Sequence, residues 1–332
     1  MAAFLDLLQQ YTRTALAHVP EPAQGYLRNP FTQKVLGVIL ALGLVRSLNK
    51  SLSQWTINNW TRSLRWDSKR ELILLTGGCS GIGKKVMEIL AQKGIRVIIL
   101  DINEPDFPLP ATVSFYKTDI TSSASIAEVA KTIRAKHGDP TVLVNNAGVG
   151  YDGTILDEPE AKIRRTFEVN TISHFLMVKE FLPAMIRDNH GHVMTIASMA
   201  SFVALGEMAD YCGSKASALA FHESLRQELK SWYHAPGVRT SVVHPMWVRT
   251  PMIDMLTERE SHFRQPIMTV EFVAKAIVKQ ILSQNSGQLI LPSSQSLASA
   301  VRGMPTWMQE GVRSLASGSL LRLREAKQQE EL

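Results

Sequence analysis

The run TGGCSGIG at residues 76–83 does most to narrow what this chain can become. It follows four apolar residues, Leu72, Ile73, Leu74 and Leu75, and opens a segment in which Ile82, Val86, Ile89 and Leu90 recur at helical spacing. A strand, a glycine turn and a helix in that order begin a βαβ unit. Glycines at 77, 81 and 83 let the backbone close on a pyrophosphate, whose charge suits the positive end of a helix. A second apolar run, Ile95 to Leu100, ends on Asp101, near the roughly 20-residue offset at which an acidic side chain meets an adenosine ribose. These features read together as a dinucleotide site.

From Glu71 onward, apolar strands alternate with helical patterns, which predicts an α/β fold with a parallel sheet covered on both faces. Candidate strands end at Thr76, Asp101, Asp119, Asn145, Ser198, His244 and near Pro292, and function should collect at those carboxyl ends. Further along, Tyr211 and Lys215 stand four residues apart in YCGSK. On a helix that spacing puts phenol and ammonium on one face, where the positive charge favours phenolate and readies the tyrosine to move a proton.

The first seventy residues differ in character. They hold nine Lys or Arg against Asp6, Glu21 and Asp67, so the +6 net charge lies here and the other 262 residues balance at 27 of each sign. A basic excess outside the enzyme-like region points to an anionic membrane surface, with no nucleic-acid groove across the fold. Phe4, Leu7, Leu8, Tyr11, Ala15 and Leu16 recur at helical spacing before Pro20, Pro22 and Pro30 interrupt. The most apolar run, Val35 to Val45, lies between Lys34 and Arg46. Counted from Phe31 to Leu48 with both cations snorkelling, it reaches about 27 Å, borderline for a roughly 30 Å hydrocarbon core. A span and an in-plane or hairpin insertion both remain open. Leu52, Trp55, Trp60, Leu64 and Trp66 then mix with Arg62, Arg65 and Lys69 in the manner of an interfacial helix.

Cys79 and Cys212 are the only cysteines, which implies no disulfide framework and a reducing compartment around the catalytic part. No HxxxH or Cys/His cluster supports a metal.

With TGxxxGxG, Asp119, NNAG at residues 145–148, Asn170, Ser198, Tyr211 and Lys215 all in order, residues 70–292 resemble the short-chain dehydrogenase/reductase family. LDIN, TFEVN, HFLMVKEFLPAM, NHGHVMTIAS and FHESL look closest to the membrane- and lipid-droplet-associated 17β-hydroxysteroid dehydrogenases and the related retinol dehydrogenases. The resemblance implies a single Rossmann-like, doubly wound, seven-stranded parallel sheet with an N-terminal helical membrane-anchoring extension. Three regions follow: an anchoring segment at 1–70, the catalytic domain at 71–292, and an amphipathic extension with a polar tail at 293–332.

The family pattern implies that Ser198 hydrogen-bonds the substrate oxygen, Tyr211 exchanges its proton, and Lys215 grips the nicotinamide ribose while lowering the phenol pKa. Asn170 would hold the water that links Lys215 to solvent. Gly77, Ser80, Gly81, Ile82, Gly83, Asp101, Asp119, Asn145, Ala147, Gly148, Pro245, Val248 and Thr250 complete the implied cofactor set, with Tyr211 and Lys215 shared. The usual Pro-Gly after the sixth strand is Pro245-Met246 here.

Cofactor choice can be argued from charge. A 2′-phosphate about 5 Å from Asp101 would be repelled by roughly 3 kcal/mol per unit charge at an effective dielectric near 20. Ile102 and Asn103 supply no cation, so NAD(H) is expected. Met252, Ile253, Met255, Leu256 and Phe263 form a candidate apolar lid. Leu297, Val301, Met304, Trp307, Met308, Val312 and Leu315 form a second amphipathic stretch, placed to cover the site or touch membrane. REAKQQEEL reads as a solvated tail.

The expected activity is hydride transfer between NAD(H) and a lipophilic alcohol or carbonyl, a retinoid, steroid or other lipid alcohol. The expected setting is an endoplasmic reticulum membrane or lipid-droplet surface, with the catalytic domain facing the cytosol as a homodimer. The alternatives are an NADPH-dependent carbonyl reductase of a lipid or polyketide intermediate, and a non-catalytic lipid-surface scaffold.

Overall fold

The computed structural model describes Pro20, residues 29–258, Phe263 and residues 265–330, in two compact units, Met1–Thr56 and Ile57–Leu332. The helical spacing expected from Phe4 to Leu16 lies outside the described residues. The first unit contributes helix α1, Pro30–Ile57, which continues well past the expected Leu48. Its most apolar 18-residue window has a mean hydropathy of 1.5, so it is long and apolar enough to cross a membrane by length and composition. Val35, Leu36, Val38, Ile39, Leu40 and Leu42 are exposed, so the helix is apolar around its circumference.

The second unit is built on seven parallel strands in the order β3-β2-β1-β4-β5-β6-β7. In chain order they are β1 Ile73–Thr76, β2 Val97–Asp101, β3 Val113–Lys117, β4 Val142–Asn145, β5 Gly191–Ile196, β6 Val238–Pro245 and β7 Gly287–Leu291. The chain adds strands outward in one direction from β1 and in the other from β4, and that switch in strand order opens the crevice where such sheets bind ligands. β3 stops two residues before Asp119, and β5 stops two before Ser198, so both residues lie on the loops above the sheet.

The five inner strands are buried on both faces, and their alternation sorts the core. Ile73, Leu75, Val97, Ile99 and Val144 pack under helices α2, Gly81–Gln92, and α8, Val270–Leu282. Leu72, Leu74, Ile98, Leu143 and Val193 face the other way, under α3, Ser123–His137, α5, Ser173–Arg187, and α6, Ala209–Ser231. Helix α4, Glu160–Phe167, runs into α5 through one π-helical turn, Glu168–Ile172. A short helix, α7, covers Asp254–Glu258, and a 3₁₀ stretch, Ser293–Gly303, leads to α9, Thr306–Glu330.

Two sequence expectations change here. Residues after Ile57 do not continue as an interfacial helix, because they are tied to the amino-terminal ends of β6 and β7. Arg239, buried, donates to Asn58 O and Thr61 Oγ1 at 2.8 Å and to Arg62 O at 3.0 Å. Asn58 Oδ1 accepts from Ser286 N at 2.8 Å, Ser63 Oγ bonds Asn285 Oδ1, and Trp66 packs on the core. The expected solvated tail also changes at its start: α9 continues to Glu330, and Arg324 donates to Glu207 Oε1 at 3.0 Å and to Asp157 Oδ2 at 3.1 Å.

Candidate active site

The glycine turn after β1 owes its shape to two close approaches. Gly77 has φ +67°, and a Cβ there would lie 2.8 Å from Ala147 Cα on the loop after β4. A Cβ on Gly83 would run into the Gly77 carbonyl oxygen and the Asn146 amide. The first turn of α2 therefore sits against the loop, with its free amides turned to the crevice. Asn146 fastens the turn: its Nδ2 donates to Thr76 O and Gly77 O at 3.0 Å each, and its N–H donates to Thr76 Oγ1 at 3.0 Å.

At the end of β2, Asp101 is buried and held from two sides. Its carboxylate accepts from Cys79 N and from Asn103 N, each at 3.0 Å. Beside it, burial and the Asp101 charge push the Cys79 thiol up to about 12, which makes it inert. On the next loop, Asp119 Oδ1 accepts from Thr121 N at 3.0 Å and from Thr121 Oγ1 at 2.7 Å, and Arg165 on α4 stands 3.8 Å from Oδ2. Burial raises the Asp119 pKa less than those partners lower it, so its carboxyl lies below the ordinary value.

The reacting end lies where β5, β6 and α6 meet. Tyr211 is the third residue of α6, and Lys215 one turn on has its Nζ 5.7 Å from the phenol ring centroid. Lys215 is buried and donates to Ile196 O at 3.0 Å, and burial brings its ammonium down to about 8. Burial also pushes the Tyr211 phenol up to about 12, with a hydrogen bond from Ser198 opposing the rise. The expectation that Lys215 lowers the phenol is not met by the protein's own groups, because desolvation of the phenolate is the larger effect. Ser198 caps the 3₁₀ turn Met199–Ser201 by accepting from Ala200 N at 3.1 Å. Gly150 leaves room for the Tyr211 ring, whose carbons lie 3.2 and 3.4 Å from where a Cβ would stand.

Asn170 lies inside the π-helical turn, a distortion frequent at functional sites. Its Oδ1 accepts from Val149 N at 2.9 Å, and its Nδ2 donates to Val149 O at 2.8 Å and Ser214 Oγ at 3.0 Å. The side chain thus clamps the loop after β4.

One cavity of about 1320 Å³ joins these parts. Gly77, Ser80, Gly81, Ile82, Asp101, Asp119, Ala147 and Gly148 line one end; Ser198, Tyr211, Lys215, Pro245, Val248 and Thr250 line the middle. Met246, in place of the usual glycine, also lines it and donates its N–H to Leu291 O at 2.9 Å. Gly83 and Asn170 support the cavity without lining it. Asn145 is placed otherwise, buried with its side chain turned into the core, and Asn146 lines the cavity in its stead. Strand parity carries that signal: Asn145 follows Leu143 and Val144 on alternating faces, leaving the next residue for the crevice.

The far end is apolar. Val203, Leu205, Met208, Ile253, Leu256, Leu320 and Leu323 line it, and Phe263 packs behind. The lid expected from Met252, Ile253 and Leu256 is therefore at the cavity; the Met255 side chain lies outside the described residues. α9 lies over this end, with Trp247 Nε1 donating to Gln265 Oε1 at 2.7 Å and Gln265 Nε2 to Ala316 O at 3.3 Å.

The glycine cradle, the amides at the α2 terminus and the ribose-height carboxylate fit a nicotinamide dinucleotide. Among the described residues, no group of three His, Cys, Asp or Glu is placed to hold a metal.

Comparison with known proteins agrees with this geometry. The sequence profile of the family described as short chain dehydrogenase matches residues 71–261. Dehydrogenase RED2 of Cochliobolus heterostrophus is 41% identical over 67% of this chain and 87% of its own length. Human estradiol 17-beta-dehydrogenase 11 is 34% identical over 68% of this chain and 75% of its own. Among solved structures, levodione reductase superposes with a TM-score of 0.59 at 21% identity, covering 69% of this chain and 98% of that one. 4-Hydroxyisoleucine dehydrogenase complexed with NADH gives 0.58 at 20%, covering 67% and 96%.

Proposed function

From the premise that this chain belongs to the short-chain dehydrogenase family, and so is an oxidoreductase of CH–OH groups using a nicotinamide cofactor, we propose that it is NAD(H)-dependent and acts on a lipophilic alcohol. The observation that carries the reading is the single cavity with a dinucleotide cradle at one end, an apolar chamber at the other and the Tyr211 hydroxyl between. The bound nicotinamide supplies hydride acceptance or donation. The chain's own residues handle the rest. Ser198 orients the substrate oxygen by hydrogen bond, Tyr211 takes or gives the proton there, and Lys215 holds the ribose and supplies positive charge beside the phenol. Asp101 favours NAD(H), because its carboxylate is fixed by two backbone amides and cannot swing away from a 2′-phosphate.

The apolar chamber and the exposed Leu297, Trp307 and Leu315 near it support a retinoid, steroid or long-chain lipid alcohol as substrate. Helix α1, apolar on all sides, supports attachment to an endoplasmic reticulum or lipid-droplet membrane. Its circumference favours a span over an in-plane amphipathic helix. The two buried free thiols suit a cytosolic face for the catalytic unit. Exposed Ile172 and Phe175, at the start of α5, support a homodimer through α5 and α6.

The test is NADH production by detergent-solubilised full-length protein over a panel of retinols, hydroxysteroids and fatty alcohols. Tyr211→Phe serves as control, with nucleotide binding followed by fluorescence. Turnover on at least one lipophilic alcohol, lost in Tyr211→Phe while NADH still binds, is expected. A kcat/KM preference for NADP(H), or equal turnover in the control, overturns the reading.

A further inference from the structure

The stretch after Ile57 has the composition of a membrane interface yet is folded onto the catalytic unit, and the two facts meet in one surface. Arg239, near the start of β6, gathers the chain there: its Nη1 lies 2.8 Å from Asn58 O, 2.8 Å from Thr61 Oγ1 and 3.4 Å from Pro236 O. Asn59 Nδ2 also donates to Pro236 O, at 3.4 Å. Residues 58–61 therefore lie against the turn that leads from α6 into β6, at the amino-terminal end of that strand. Both segments of this junction put out large apolar side chains. Trp60 is 61% and Leu64 56% exposed on one, and Trp232 is 71% and Tyr233 44% exposed on the other.

The backbone holds these side chains out at a cost. Asn59 and Trp60 have φ of 54° and 57°, and His234, following Tyr233, has 49°. Left-handed backbone is unfavourable for a side chain as bulky as tryptophan and persists where surrounding bonds over-determine it. Here the buried Arg239 guanidinium, bonded to Asn58, Thr61 and Arg62, fixes the chain on both sides of Trp60. The charge is one-sided too. Residues 58–70 carry Arg62, Arg65, Lys69 and Arg70, all exposed, against Asp67. On the other segment Lys230 is exposed two residues before Trp232, and Glu228 accepts from the Tyr233 hydroxyl at 3.2 Å. None of these side chains lines the active-site cavity.

Tryptophan and tyrosine beside lysine and arginine are what proteins place at the headgroup level of an anionic bilayer. Position agrees with composition. Ile57 ends α1, and three residues of chain span at most about 11 Å, so Trp60 stays within that reach of the helix end. We propose that Trp60, Leu64, Trp232 and Tyr233, with the cations beside them, form an interfacial surface that seats the catalytic unit on the anionic headgroups of the membrane holding α1. The inference rests on the membrane attachment of α1 above and goes beyond it, because it gives the folded catalytic unit a lipid-contacting surface of its own. It also orients that unit. The eight residues of β6 put about 26 Å of strand between this surface and the carboxyl ends where the cavity lies, so the active-site end is held away from the headgroups.

The experiment uses the full chain in phosphatidylcholine vesicles, with and without phosphatidylserine. Cys79 and Cys212 are buried, so a cysteine introduced at an exposed position takes a spin label selectively. Tyr233→Cys tests the surface, and Leu156→Cys, at a residue 96% exposed on the loop after β4, tests the active-site end. Flotation reads the attachment of α1, and NADH binding shows that each variant is folded. With phosphatidylserine, the label at 233 should be reached by oxygen and shielded from a water-soluble nickel complex, while the label at 156 should behave as in water. Trp60→Ser, Trp232→Ser or omission of phosphatidylserine should each raise nickel access at 233. A chain that fails to float removes the attachment of α1 and this proposal with it. A chain that floats with the label at 233 in water overturns the proposal alone, and lipid contact at 156 in place of 233 overturns it by putting the membrane against the opposite end of the unit.

Discussion

The two ends of the cavity are built in opposite ways. The dinucleotide end is backbone: glycines without room for a Cβ, amides on Asp101, and Asn146 stitched to Thr76 and Gly77. The substrate end is side chain: Leu205, Met208, Ile253, Leu256 and Leu320, closed by α9 and by ion pairs at its rim. Backbone contacts tolerate almost no substitution, whereas apolar side chains exchange for others of similar volume. A shared cofactor with divergent substrates is the expected product of such a division.

The largest effect should come from Gly83→Ala. Its methyl must displace the Gly77 carbonyl, so the cost should reach at least the upper end of overpacking, about 3 kcal/mol, and NADH affinity should fall roughly 100-fold or more. Titration of nucleotide fluorescence measures it; retained affinity would show that the cradle is softer than the contrast requires. Next is Asp101→Ser, which removes a repulsion of roughly 3 kcal/mol per phosphate charge and should swing the kcat/KM ratio toward NADP(H) on the order of 100-fold. Lipid-alcohol KM should hardly move, since Asp101 is at the other end.

A third expectation concerns pH. Lys215 is charged below about 8 and neutral above it, so kcat/KM should fall about tenfold per unit above that point. The sign for stability is separate. His174, His192 and His222, brought down to about 3 by burial, bind no proton in the fold between there and 6.5, while the unfolded chain does. Stability should therefore drop as pH falls from 6.5, by up to about 1.4 kcal/mol per unit from each, which acid titration of the unfolding midpoint reads directly.

The same division governs what the sequence made legible. Backbone requirements leave residue-type signatures, so the glycine turn and Asp101 could be found by spacing, as could seven strands by apolar runs; the spacing of Tyr211 and Lys215 marked a helix face, while Ser198 came from the family resemblance. Placements set by tertiary packing left weaker marks. Asn145 and Asn146 differ only in strand parity, and the π-helical turn at Asn170 has no residue signature. The stretch after Ile57 has interfacial composition, but buried Arg239 captures its carbonyls from almost two hundred residues away. REAKQQEEL reads as solvated because its charges dominate, yet its first residue, Arg324, finds two carboxylates on segments that line the cavity.

That last contact gives the smallest expected effect and the finest probe of the substrate end. Arg324 joins α9 to Glu207, before α6, and to Asp157, on the segment following Gly153, both of which line the cavity. All three side chains are partly exposed, so the pairs are screened by water and salt and cannot contribute much to global stability. What they do is hold three chain segments around one opening. Arg324→Gln should leave the unfolding midpoint and NADH affinity unchanged while raising KM for a lipophilic alcohol about threefold, a gap that added salt should close by weakening the wild type. An equal change in NADH affinity would mean that the opening and the cradle move together, and that the two ends are not independent. A KM unaffected by either substitution or salt would place the selectivity of the substrate end wholly in its apolar lining, at Leu256, Leu320 and Leu323.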